Sequence, residues 1–249
     1  MKKFELTTDT KMFFGRKLFR IKALISFGDV TAGDLGGYVE KEENLSHDGN
    51  AWVLGNAKVS DNAKVSGEAK VSGNAEVSGN AEVSGNAWVS GNAKVSGNAE
   101  VSGEARVFGN TLVSGEAKVF GEARVSGEAW VSGEAKIFGE AKIFGNARVF
   151  GEARVSGNTR VSGNAWVFDE ARVSGNTDYL CFTGLGSCNR NTTFFKCRDG
   201  HIHVSCGCFS GNLEEFETKV KETHGDSKYG KEYLACLEVV KIHFEEEIL

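Results

Sequence analysis

The 249-residue chain has no proline, and no apolar run in it approaches the ~20 residues that cross a bilayer. A membrane-spanning protein is therefore not expected. The opening residues, Met1-Lys2-Lys3-Phe4-Glu5, lack the apolar core of an export signal, so a cytoplasmic setting is expected. Net charge is −5, too small to pull the whole chain toward nucleic acid or an acidic membrane surface. All six cysteines lie between Cys181 and Cys236, and without an export signal they are expected to be free thiols. Residues 49–177 contain neither histidine nor cysteine, so that stretch offers no imidazole base and no thiolate nucleophile.

What that stretch does contain is a repeat. From Gly49 the chain reads Gly-Asn-Ala-Trp-Val-Leu, then Gly-Asn-Ala-Lys-Val-Ser, and so on. The aliphatic position recurs every sixth residue from Val53 to Val173, with only Ile137 and Ile143 replacing valine, across 21 hexads without insertion or deletion. Six is not a multiple of 3.6, so a helix cannot use this pattern. A strand can: Ala and Val sit two apart on one face, and the residue between them points the other way. The Gly-Asn or Gly-Glu pair then turns the chain. Three hexads close a triangular coil of 18 residues, giving seven coils and, at ~4.8 Å per strand, a stack roughly 34 Å long. Its end coils have open strand edges that need caps.

The Val-Ser-Gly-Asn-Ala-Lys unit resembles the hexapeptide repeat, in which an aliphatic residue recurs with a small residue four positions later. That resemblance implies a left-handed parallel β-helix, a fold shared by many acyltransferases and by γ-class carbonic anhydrases. Phe19-Arg20-Ile21-Lys22-Ala23-Leu24 and Gly36-Gly37-Tyr38-Val39-Glu40-Lys41-Glu42-Glu43-Asn44-Leu45-Ser46 resemble the start of a narrower group. Its members are bacterial and phage proteins loosely labelled transferases or polymer-forming proteins. Acyltransferases of the hexapeptide type generally use a histidine near the coil surface, and the carbonic anhydrases use three on zinc. Neither site can be built from these coils. His47, at the entry to the first coil, is the nearest candidate and reads better as a corner residue.

The fold class is thus mainly β, in three parts: an N-terminal β cap over 1–48, the β-helix over 49–177, and a small α+β domain over 178–249. In the cap, Lys3–Leu6 and Lys17–Phe27 read as strands. In the tail, Asp178–Gly186, Thr192–Arg198 and His201–Phe209 read as three strands. Asn212 with Glu215 forms a capping box for a helix whose apolar stripe is Leu213, Phe216 and Val220 and whose end is Gly225. A second helix is expected from about Ser227 to Glu246, with Tyr233, Leu237, Val240 and Phe244 inward.

Residues 18 apart should stack. One outward column is Trp52, Lys70, Trp88, Arg106, Arg124, Lys142 and Arg160, which contains no acid and interleaves bases with aromatics. Glu68, Glu104, Glu122 and Glu140 sit two positions before members of it, so lateral pairing and a self-neutralising face are the stronger reading, and nucleic acid is not the expected partner. Phe120 stacks with Phe138, and Phe150 with Phe168, as a candidate contact surface. Self-association through it is expected, a trimer first because hexapeptide proteins are commonly trimers by resemblance.

Function is expected in the tail, since irregular segments more often carry chemistry than repeats do. The densest irregular run holds Ser187, Arg190, Asn191, Thr192 and Thr193, donors suited to phosphate or carboxylate, and His224 at a helix end could face the same place. Cys188, Cys197, His201, His203, Cys206 and Cys208 could supply zinc ligands, but no paired Cys-x-x-Cys knuckle is present and a bulge would be needed. No metal or other cofactor is expected. A nucleophilic pair of Cys206 or Cys208 with His224 is the weaker alternative. The tail resembles the ends of phage and prophage repeat proteins, with no secure chemistry attached. The leading expectation is a non-enzymatic binding protein that holds an anionic small molecule or a host protein, in counter-defence. The alternatives are an architectural or polymer-forming protein and a hexapeptide acyltransferase.

Overall fold

A computed structural model describes residues 1–245. Over the hexads the chain is a parallel β-solenoid with three flat faces, each built from seven two-residue rungs. Face I carries the column Trp52, Lys70, Trp88, Arg106, Arg124, Lys142, Arg160. Face II carries Lys58, Glu76, Lys94, Leu112, Trp130, Arg148, Trp166. Face III carries Lys64, Glu82, Glu100, Lys118, Lys136, Arg154, Arg172. Every hexad valine or isoleucine is buried to 1% exposure or less and nearly every hexad alanine to 0%. The small-plus-branched pair fills the narrow interior, and each rung adds another layer to one continuous core.

The corners show why glycine recurs. Their φ values cluster near +60 to +85°, as at Gly97 (+70°) and Gly109 (+84°). A Cβ at Gly97 would also lie 2.9 Å from the carbonyl oxygen of Gly115 in the next turn. Asparagines that follow the corner residue stack on their copies one turn away. Asn62, Asn80 and Asn98 form one amide ladder at 3.2 and 3.0 Å, and Asn74, Asn92 and Asn110 another at 3.1 and 2.9 Å.

The cap is less separate from the solenoid than the sequence suggests. β1 (Phe4–Phe13) and β2 (Arg16–Ala23) form a hairpin, and β2 pairs antiparallel with β3 (Leu35–Val39). β3 then runs parallel to the first rung of face II, with Tyr38 opposite Lys58, and Leu45 bridges to Val65 on face III. Residues 35–46 are therefore a further turn, bringing the total to about eight, with a 20-residue offset that the hexad count does not reveal.

Stacking direction decides what each end must satisfy. Each rung donates its N–H groups to the following turn, as in Lys94 N–H to Thr111 O at 2.8 Å. The N-terminal end therefore exposes carbonyls and the C-terminal end exposes N–H groups. Donors cover the first: Lys3 Nζ reaches Gly49 O and Ala51 O at 3.1 and 3.0 Å, and Asn44 Nδ2 reaches Asp61 O and Ala63 O at 3.1 and 2.8 Å. Acceptors cover the second: Asn176 Oδ1 takes Arg160 N–H at 2.8 Å, Thr193 Oγ1 takes Trp166 N–H at 3.2 Å, and Asp178 Oδ2 takes Ser174 N–H at 2.7 Å. His47 belongs to the first set of supports, accepting from Lys3 N–H and stacking on Phe4 at 4.4 Å.

The tail contains four antiparallel strands: β4 (Tyr179–Leu185), β5 (Arg190–Lys196), β6 (Ile202–Cys206) and β7 (Phe209–Asn212). The expected third strand, His201–Phe209, is broken by a turn at Gly207, whose φ is +61°, and β7 follows it. α1 (Leu213–His224) starts at Asn212 with the capping box to Glu215 in place, both bonds at 2.9 Å, and ends at Gly225. α2 (Lys228–Glu245) buries Tyr233, Leu237, Val240 and Phe244. Glu246, the expected end of that helix, lies outside the described residues. The sheet is sandwiched: Phe194, Val204 and Cys206 face the helices, while Phe195 and Cys197 join the solenoid core.

Among the described residues, no helix is long and apolar enough to cross a membrane.

Candidate functional site

Alternation along β5 sorts the predicted ligand residues onto opposite faces of the sheet. Thr192 and Phe194 point toward the helices, and Thr193 and Phe195 toward the last coil. Thr192 is fully buried, its hydroxyl bonded to Cys206 Sγ at 3.1 Å, so it is not open to a ligand. It is a core residue, because burial on both faces of the sheet leaves a central strand no solvent side. Thr193 is also buried and uses its hydroxyl to cap the Trp166 N–H.

The remaining candidates line two cavities that share Arg190. One, of about 290 Å³, lies between α1 and the end of the sheet that carries the β4–β5 and β6–β7 turns; Ser187, Arg190, Lys219, Thr223 and His224 supply its polar wall. Phe209, Phe216, Val220 and Tyr233 supply its apolar floor, and Cys188, Cys206 and Cys208 also line it. His224 stacks on Tyr233 at 5.5 Å between ring centroids. The other cavity, of about 230 Å³, lies between the sheet and face II and is lined by Asn164, Trp166, Arg190, Asn191, Thr193 and Ser205. There the Asn191 Oδ1 is buried without a hydrogen-bond partner.

Arg190 can serve both cavities because Gly207 opposite it has no side chain. A Cβ on Gly207 would run into the Arg190 guanidinium. The sulfurs of Cys208 first and Cys188 next hold this guanidinium even more firmly protonated than an ordinary arginine. Among the described residues no carboxylate lies within ion-pair distance of it. It is a fixed positive charge, open to solvent, at the meeting of two hollows.

Trp166 and Asn164 were not singled out in the sequence reading, yet they form the solenoid wall of the smaller cavity. Trp166 ends a ladder on face II in which the Arg148 guanidinium lies 4.6 Å from the Trp130 ring and 5.1 Å from the Trp166 ring. The 18-residue period of the sequence holds this signal, in the column Trp130, Arg148, Trp166. On face I, Trp52 is buried under Phe4 and Phe27, and Lys70 pairs with Asp29 at 2.5 Å, so the interleaving of bases and aromatics is reduced there to Trp88.

The phenylalanine pairs form as expected, with centroids 5.1 Å apart for Phe120–Phe138 and 4.8 Å for Phe150–Phe168. Their availability differs. Phe168 is buried, packed edge-on against Phe195 and His203, because the tail sheet sits on that end of face II. It is an intramolecular contact and not one for a partner. Phe150 is half-buried beside it, and Phe120 and Phe138 are half-buried on face III. The ion pairs of the solenoid also differ from expectation. Lys58–Glu76, Lys94–Glu76 and Lys118–Glu100 join successive turns of one column, and among the described residues no corner glutamate pairs sideways with its own column.

The six candidate metal ligands also separate. Cys188, Cys206 and Cys208 line the larger cavity, whereas Cys197, His201 and His203 converge at the opposite end of the sheet. All six cysteines are free thiols.

Comparison with known proteins bears on the repeat. A family model described as YdcK Beta solenoid repeat matches residues 153–169, about one turn near the C-terminal end of the stack. The chain is similar to that repeat there. No curated protein matches the chain.

Proposed function

We propose that this protein is a non-enzymatic binding protein, a rigid β-solenoid that presents its C-terminal domain to a small anionic ligand held at Arg190. The observation that carries this reading is the guanidinium itself: permanently charged, without a carboxylate partner among the described residues, and shared by two cavities. The larger cavity adds Lys219, His224, Ser187 and Thr223 around an apolar floor, which suits a phosphate-bearing molecule with one planar, weakly polar part. Its volume of about 290 Å³ suits a molecule of nucleotide size. With the phage-like resemblance of the chain's two ends, this supports a counter-defence role, sequestration of a nucleotide signal in the host cytoplasm. Blocking of a host immune protein is the outcome to expect if no small molecule binds.

The test is a binding titration of the full chain against inorganic phosphate, mononucleotides and cyclic dinucleotides, with Arg190→Ala beside it. At least one phosphate-bearing ligand should bind, and Arg190→Ala should weaken it at least ~10-fold, the loss of one charge-assisted bidentate contact, while the melting temperature stays unchanged. Binding that survives Arg190→Ala would move the site elsewhere. Turnover of an acyl-CoA by the purified chain would replace this reading with the acyltransferase one.

Self-association is part of the proposal. Trp88, Phe108, Trp130 and Phe144 are exposed on the lateral faces, while both ends of the stack are capped. This favours a closed oligomer, a trimer first, over end-to-end filaments. Light scattering on the purified chain distinguishes them by mass.

A further inference from the structure

The β5–β6 turn brings together three side chains that the proposed ligand site does not use. Cys197 Sγ and a ring nitrogen of each of His201 and His203 all lie within 4.8 Å of one another. A tight turn gathers them: Cys197 N–H donates to His201 O at 2.9 Å and Gly200 N–H to Cys197 O at 3.1 Å, which folds His201 back over Cys197. The rings are also oriented. His201 Nδ1 is held by the Asp199 carboxylate, and His203 Nε2 meets Ser210 Oγ at 2.8 Å while its ring stacks on Phe195 at 5.1 Å. The Asp199 carboxylate on His201 Nδ1 is a usual outer support of a metal-binding imidazole, leaving Nε2 for the ion, whereas His203 Nε2, which faces both Ser210 and Asp169, would exchange its Ser210 contact for the ion.

The last coil contributes a fourth group. At residue 169 the hexad glycine is replaced by aspartate, which nevertheless keeps the left-handed backbone of the corner, φ +52°. That conformation costs a residue with a Cβ on the order of 1 kcal/mol. Its carboxylate lies 3.8 Å from His203 Nε2, is 59% exposed, and has room to swing. The one comparable replacement, Asp61 at φ +60°, has a clear use, since its carboxylate pairs with Arg16 and accepts from Gly79 N–H at 3.0 Å.

We propose that Cys197, His201 and His203 bind a zinc ion, with Asp169 as the fourth ligand. Tetrahedral zinc with sulfur at ~2.3 Å and nitrogen at ~2.0 Å sets its ligand atoms about 3.3–3.6 Å apart, so closure of Cys197, His201 and His203 from their present spacing needs side-chain shifts of roughly 1 Å, and Asp169 turns in to complete the set. One thiolate, two imidazoles and a carboxylate suit zinc. A copper electron-transfer site would want an axial thioether, and both methionines, Met1 and Met12, belong to the N-terminal end of the chain. Binding releases the Cys197 proton to solvent and involves no oxidation or reduction. The ion would tie the final coil, through Asp169, to the turn between β5 and β6, fastening the recognition domain to its scaffold.

The experiment uses full-length protein purified with a phosphine reductant and no chelator, analysed for metal, then stripped and titrated with cobalt(II). The expected results are one zinc per chain and, with cobalt, a thiolate charge-transfer band with tetrahedral d–d bands. His201→Asn alters an exposed side chain and Asp169→Gly restores the repeat residue, so both should fold. Each should weaken cobalt binding at least ~10-fold, by analogy with the loss of a supporting ligand. Cys197→Ser should abolish the charge-transfer band, and Cys188→Ser and Cys208→Ser should leave it intact. Absence of that band in the wild-type protein, or its persistence in Cys197→Ser together with unchanged affinity in His201→Asn, overturns the proposal.

Discussion

Gly97 and Gly163 share a backbone conformation, with φ of +70° and +65°, but not a neighbour. A Cβ on Gly97 would meet the Gly115 carbonyl at 2.9 Å, whereas Gly163, last in its column, has nothing within 4 Å. Gly97→Ala should therefore cost both the left-handed strain and a backbone clash, about 2–4 kcal/mol, and Gly163→Ala only the strain, about 1 kcal/mol. Chemical denaturation of the two variants measures the difference. Thr111 departs from the repeat in the other direction. It stands where the hexad has alanine, and its Oγ1 is buried without a partner. The second such residue, Thr159, bonds its hydroxyl to Ser156 O at 2.7 Å. Thr111→Ala should thus stabilise the protein by about 1 kcal/mol, and Thr159→Ala should not. At this scale the sequence was legible wherever a residue obeys the hexad. Arg190 and His224, chosen from residue type alone, line one cavity. Thr192 was misjudged because donor chemistry does not say which face of a strand is covered.

The elements that join solenoid to tail depend on Asp178. Burial pushes its carboxyl up, but the Ser174 hydroxyl, the Ser174 and Gly175 amides and Lys196 together outweigh burial and hold it below its ordinary value. A depressed carboxyl contributes stability that is present above the unfolded pKa of ~3.9 and lost as pH falls through the lower folded value. Asp178→Asn should cost about 1.5–3 kcal/mol at neutral pH, the value of charge-assisted bonds to a buried group. The gap from wild type should close below about pH 4. Thermal melts across that range give the test. The helices of the tail were readable from their caps and apolar stripes, because those signals are local. The break between β6 and β7 was not, since it turns on a single glycine that makes room for an arginine from another strand.

For the molecule as a whole, the caps at the two ends are chemically opposite because every rung hydrogen-bonds in one direction. Lys3 is the clearest case. Burial pushes its ammonium down to about 8, against weaker support from Glu68 and Asp48, while it donates to two carbonyls of the corner that leads into the first face I rung. The depressed folded value means that the unfolded chain holds more protons between about pH 8 and pH 10, so this group makes stability rise with pH in that window. Lys3→Met should be less stable at every pH, through two orphaned carbonyls, and the gap from wild type should widen between pH 8 and pH 10. Denaturation midpoints of both proteins at several pH values decide it.

By itself the sequence determined the solenoid: an uninterrupted six-residue period with alanine and valine on one side admits one economical way to bury them, and glycine marks each corner. It also determined that the hexad coils carry no imidazole or thiol, so those groups belong to the ends of the chain. Only the tertiary structure decided which tail residues meet. Arg190 shares one cavity with Trp166 and another with His224, and Cys197 lies near the two histidines, because a four-stranded sheet is laid across the final turn. Those contacts join residues without a common period, and periodicity is the one long-range signal that a single sequence carries.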